Sequence, residues 1–109
     1  MKDEATKLDK GKAPMELLPY PALAEIARVL AFGVTKYGAW NWMKGMEWSR
    51  MLGAAHRHLG AFSVGNDRDE ESGILHLAHA GCCILFLLTY QLVGIGKDDR
   101  FKMPSNAFE

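Results

Sequence analysis

The sequence predicts an all-α fold, a compact bundle of three main helices behind an extended N-terminal arm, completed by oligomerisation. Apolar residues recur at helical spacing in three segments, while no stretch shows strand alternation or an internal repeat. The chain has 109 residues, 49% of them hydrophobic, which is more apolar surface than so short a domain can hide from water by itself.

Residues 1–20 combine Lys2, Lys7, Lys10 and Lys12 with Gly11, Pro14 and Pro19, which favours an extended arm over a helix. Met15, Leu17 and Leu18 are expected to pin its end to the core. From Pro21, suited to a helix start, Leu23, Ile26, Ala27, Leu30 and Val34 recur at helical spacing to about Tyr37. Trp40, Asn41, Trp42 and Lys44, between Gly38 and Gly45, read as an aromatic loop. A second helix runs from about Glu47 to Val64, with Met51, Leu52, Ala55, Leu59 and Phe62 on its apolar face and Gly65-Asn66 ending it. The acidic turn 67–71 favours the dipole of a third helix that follows it. The chain therefore reads as one domain: arm 1–20, helical core 21–95 and polar tail 96–109.

The apolar stretch 74–95 is long enough to cross a bilayer, but His76, His79, Thr89, Gln91 and its helical companions favour a buried helix, with no membrane partner. Thirteen Lys and Arg balance thirteen Asp and Glu, so the basic excess expected of a duplex nucleic-acid binder is missing. Cys82 and Cys83 are adjacent in an apolar helical stretch and read as buried thiols of a reducing compartment. Residues 1–12 are charged throughout, unlike a secretory leader, and a cytoplasmic location is expected.

His76 and His79 are three residues apart and share a helix face, with Ser72 and Cys83 on the same stripe. Such a pair can bind one metal, although a core role for both rings is the competing reading. Asp69, Glu70 and Glu71 lie just before the pair and offer hard oxygen ligands, Asp69 and Glu71 being the candidates for the metal. Mixed nitrogen and oxygen donors leave Mg²⁺, Mn²⁺, Zn²⁺ and Fe²⁺ open. On the second helix His58 is the more inward of two histidines, and the forked cation of Arg57 suits phosphate oxygens, with a solvated helix charge as its plainer role. Lys36, Tyr37, Asn41, Trp42 and Lys44 place cations beside flat rings, useful for phosphates and a stacked base. No Walker-type phosphate loop and no nucleophile elbow occur, so phosphate handling falls to metal and side chains.

Gly11-Lys12, Leu17-Leu18-Pro19, Lys36-Tyr37-Gly38, Asn41-Trp42, Arg57-His58-Leu59, Glu71-Ser72-Gly73 and His76-Leu77-Ala78-His79-Ala80 follow one another in a single order. That order resembles the dATP/dGTP diphosphohydrolase family, phage-associated relatives of MazG-like pyrophosphohydrolases. The resemblance implies removal of pyrophosphate from a purine deoxynucleoside triphosphate, in the host cytoplasm if phage-encoded, and it brings Lys12 into the candidate substrate-binding set. The acidic helical ligand pairs of the wider superfamily have no counterpart here, where His76 and His79 hold a similar spacing.

The expected activity is metal-dependent hydrolysis of dATP or dGTP to monophosphate and pyrophosphate. Glu71 or His58 positions water, and Arg57 with Lys36 offsets phosphate charge. The competing function is a non-catalytic nucleotide-binding or protein-interaction module with structural histidines.

Overall fold

The computed structural model describes residues 3–108, so the extreme ends of the expected arm and tail lie outside the described residues. Among the described residues the fold is all-α: α1 (Tyr20–Tyr37), α2 (Trp48–Ser63) and α3 (His76–Val93), with three short 3₁₀ turns and two isolated bridges in place of a sheet. Pro21 sits in the first turn of α1, where its missing N–H costs no helical bond. Gly94, in the left-handed region at φ 72°, stops α3 by donating its N–H to Tyr90 O at 2.8 Å.

Helix α3 packs against both α2 and α1. Its residues Ala78 and Cys82 form the buried cluster with Val29 of α1, and Ile26, Leu30, Ile74, Leu75 and Phe86 close around them. The small side chains bring the helices together: a β-carbon on Gly81 would lie 2.8 Å from Ile26 Cδ1. Both flanking helices run antiparallel to α3. Ile26 meets Gly81 while Lys36, later in α1, reaches Glu71 ahead of α3; likewise Trp48 bonds Ile95 while His58, later in α2, bonds His76.

The arm departs from expectation. Met15, Leu17 and Leu18 are 67%, 78% and 45% exposed, so they do not pin it to the core. Its backbone bonds are local, such as Lys12 N–H to Asp9 O and Leu17 N–H to Pro14 O, and the flanking prolines supply no donors for longer-range ones. The apolar face of α2 is also wider than its contact with α3, leaving Leu52, Leu59 and Phe62 partly exposed. By length and composition α3 would suffice to cross a membrane, and much of its outer surface is uncovered.

The start of the tail is a strap. Trp48 N–H donates to Lys97 O at 2.9 Å, Lys97 N–H donates to Met46 O at 3.1 Å, and Trp48 Nε1–H donates to Ile95 O at 2.9 Å. Asp99 accepts from the Ser49 N–H at 2.8 Å and the Ser49 hydroxyl at 2.5 Å. The carboxylate thereby caps α2, whose own preceding residue, Glu47, makes no side-chain cap bond. Gly96 has φ 79°, and a β-carbon there would lie 2.4 Å from Met46 O. Gly96→Ala is therefore expected to lower stability by about 2 kcal/mol or more. Asp99→Ala, which removes only an exposed cap, should cost less. Urea unfolding of both variants checks the ordering, and an unchanged Gly96→Ala would show that the strap does not hold the fold.

Candidate active site

Because α1 and α2 flank α3 while the loop after α1 crosses between them, a cleft of about 1180 Å³ opens along the bundle. Lys36 and Tyr37 line it from α1; Trp40, Asn41 and Trp42 from the loop; and Arg50, Arg57 and His58 from α2. Cys82, Cys83 and Phe86 line it from α3, and Asp69, Glu71 and His79 supply polar groups beside Lys36 and His58. Trp42 stacks on Phe86 with centroids 4.2 Å apart and planes 10° apart, and its carbonyl accepts the Tyr90 hydroxyl at 2.6 Å.

Three imidazoles gather near the start of α3. His58 Nδ1 and His76 Nδ1 are 2.9 Å apart, so one ring must donate its proton to the other when neither is charged. His79 stacks on His58, centroids 4.6 Å apart at 12°, and its Nε2 lies 2.6 Å from Ser72 Oγ. Asp69 folds the acidic turn as an Asx turn, accepting the Ser72 N–H at 2.9 Å and donating its own N–H to Ile74 O at 2.9 Å. The expected dipole role of these acids is not what the turn provides. The first turn of α3 holds no acidic residue, its His76 N–H donates to the Asp67 carbonyl, and Asp69 faces His79 instead, 3.9 Å from Nε2. Ser72 and Asp69 approach the same nitrogen of His79, so the trio is not a nucleophile–base–orienter relay, which needs the two ring nitrogens divided between its partners.

His58, Asp69 and His76 each offer one ligand atom, all within 4.8 Å of one another. Two imidazoles and a carboxylate suit Mn²⁺, Fe²⁺ or Zn²⁺ better than Mg²⁺. His76 Nε2 is buried without a hydrogen-bond partner, so packing and hydrogen bonding do not fully account for that ring. Glu71, by contrast, pairs with Lys36 at 2.5 Å and is 59% exposed. The pairing holds the Lys36 pKa above its ordinary value. Burial lowers the pKa values of His58 and His79, and the neighbouring imidazoles add to that effect. Burial alone would raise Asp69, but bonds from Ser72 and the nearby histidines outweigh it and leave the carboxyl below its usual range. Burial pushes the Cys82 thiol up to about 12 and raises Cys83 as well, so neither offers a thiolate nucleophile at neutral pH.

Of the residues expected from the sequence, Lys36, Tyr37, Asn41, Trp42, Arg57, His58, Asp69, Glu71 and His79 line one cleft. His76 lies against His58 as a buried ring. Lys12 on the arm and Lys44 at the end of the loop are exposed and outside the lining. Arg50 was not anticipated. Its signal is its place seven residues before Arg57, on the same side of a helix. Trp40, expected only as part of an aromatic loop, is a cleft residue as well.

One cleft of this helical domain thus combines cations and flat rings with part of a histidine–carboxylate cluster at its side. The chain is a member of the dATP/dGTP diphosphohydrolase family, whose N-terminal domain model matches residues 2–100. A protein of Salmonella phage PMBT28 named dATP/dGTP diphosphohydrolase is 43% identical over 81 residues, covering 74% of this chain. The match covers 28% of that relative's length. No solved structure matches the chain.

The lowered histidine pKa values set a pH dependence of stability. Folded His58 and His79 bind protons less readily than in the unfolded chain, so their contribution is present above the ordinary value of 6.5 and declines as pH falls through the folded values. The Tm of metal-free protein should fall between pH 8 and pH 5, and His58→Phe should flatten the decline. An unchanged slope in that variant would remove the cluster as its source.

Proposed function

We propose that the chain hydrolyses purine deoxynucleoside triphosphates, dATP and dGTP, to the monophosphate and pyrophosphate, with a divalent cation at the histidine cluster. The observation that carries this reading is the convergence of His58, His76 and Asp69 beside a cleft lined by Lys36, Arg57 and aromatic rings. The names of the family and of the phage relative support the substrate. A bound cation supplies charge neutralisation and a more acidic water. His58, His76 and Asp69 would hold it, with His79 stacked behind His58. Arg57, forked and permanently charged, engages phosphate oxygens together with Lys36. When Lys36 turns to phosphate, Glu71 is released to accept a proton from attacking water. The water oxygen bonds to the α-phosphorus, and the bridging oxygen leaves with pyrophosphate.

Incubating the protein with each deoxynucleoside triphosphate and with Mg²⁺, Mn²⁺, Zn²⁺ or Fe²⁺ in turn tests this directly. Pyrophosphate and monophosphate should form, chelation should stop turnover, and one of the ions should restore it. His58→Ala and His76→Ala should each lose bound metal and about 10²-fold or more in rate. His79→Ala should lower the rate by a smaller factor. Nucleotide binding without any product would leave a binding module, and full turnover in protein free of metal by elemental analysis would defeat the metal site.

We also propose that the chain works as a homo-oligomer, in solution in the host cytoplasm. Its accessible surface is 8725 Å², against about 6,000 Å² for a folded monomer of this mass. The difference exceeds the roughly 800 Å² per partner of a standard interface. Leu77, Ile84, Leu88 and Leu92, 45–75% exposed, recur along the outer face of α3, where the matching face of a second copy would cover them. Light scattering of detergent-free protein should give a multiple of the chain mass, and Ile84→Glu with Leu88→Glu should reduce it to one chain. A wild-type monomer at all concentrations would reject the pairing.

A further inference from the structure

Among the described residues, Trp40 is the one non-glycine residue with positive φ, at 62° with ψ 12°. That left-handed conformation is unfavourable for so bulky a side chain, and glycine or asparagine would occupy it with less strain. Burial does not compensate, because Trp40 is 70% exposed. The other two indoles are committed to the fold. Trp42 lies flat on Phe86, and Trp48 gives its Nε1–H to Ile95 O. Trp40 is paired only by a tilted approach to Trp42, with centroids 6.0 Å apart at 35°, and it lines the cleft. A large flat ring is thus held exposed at the cleft, at a position where both backbone preference and packing favour a smaller residue. Strain of this kind is kept where a bound ligand makes use of it.

We infer that Trp40 is a specificity-determining ring that stacks on the heteroaromatic base of a nucleotide whose phosphates lie toward Lys36, Arg57 and the histidine cluster. This assignment rests on the nucleotide reading above and adds to it the residue that holds the base. Trp42 has Phe86 against one face, so Trp40 supplies the more accessible π surface. A purine overlaps an indole over more area than a pyrimidine does, and stacking strength, rather than base-edge hydrogen bonding, then gives the preference for purines.

Two variants separate the ring from the backbone it strains. Trp40→Asn removes the ring and accepts the left-handed conformation; Trp40→Phe keeps a smaller ring. With dATP as substrate, Trp40→Asn should raise KM about tenfold, with a smaller change in kcat, and should narrow the preference for dATP over dCTP. Its Tm should equal or exceed the wild-type value. Trp40→Phe should recover most of the KM, while the quenching of tryptophan fluorescence by dATP should largely vanish although Trp42 and Trp48 remain. Wild-type KM and selectivity in Trp40→Asn, with a lowered Tm, would make Trp40 a structural residue and overturn this assignment alone. A wild-type protein that neither binds nor hydrolyses any deoxynucleotide would overturn the nucleotide reading and the assignment together.

Discussion

The close seating of α1 on α3 is the constraint on which the rest of the molecule depends. Ala78, Gly81 and Cys82 present so little side chain that Val29 and Ile26 settle almost onto the α3 backbone. An interface this tight fixes the rotation of α3 about its own axis, since a turn of one residue would drive Leu77 or His79 into α1. With that rotation set, His76 faces α2 and meets His58, and His79 faces the cleft. The chemistry of the site is therefore a consequence of small residues that carry no chemistry themselves.

The acidic turn transmits this placement to the polar end of the cleft. Asp69 is held by the Ser72 and Ile74 backbone, and Ser72 is held by His79 and the Ile74 N–H, so carboxylate, hydroxyl and imidazole are positioned by one short segment. Glu71 points its charge to Lys36 across the cleft, tying the end of α1 to the start of α3. Each of these groups is at most partly buried, which keeps hydration available and makes the pairings cheap to rearrange.

Stability is assembled with little core. Few side chains are fully buried, and Tyr90 is the largest of them, its hydroxyl satisfied by the Trp42 carbonyl. The strap from Ile95 to Arg100 compensates at the far end, where Asp99 caps α2 and the Arg100 guanidinium lies 5.2 Å over the Trp48 ring. That bracing leaves the outer face of α3 uncovered, with Leu77, Ile84, Leu88 and Leu92 exposed along it.

The sequence by itself determined the number of helices, their approximate ends and the family. Periodicity, Pro21, Gly38 and Gly94 act within a few residues, and the common face of His76 and His79 follows from helical spacing alone, whereas Ser72, expected on the same stripe, lies in the turn ahead of α3 and reaches His79 from there. Tertiary structure decided which residues meet across helices. It chose His58 to face His76, gave Asp69 to the histidines and Glu71 to Lys36, left Met15, Leu17 and Leu18 exposed, and drew the polar tail back onto Trp48. Those outcomes depend on the relative rotation and register of segments far apart in the chain, which are set by the fit of Ile26 over Gly81 and not by any local pattern.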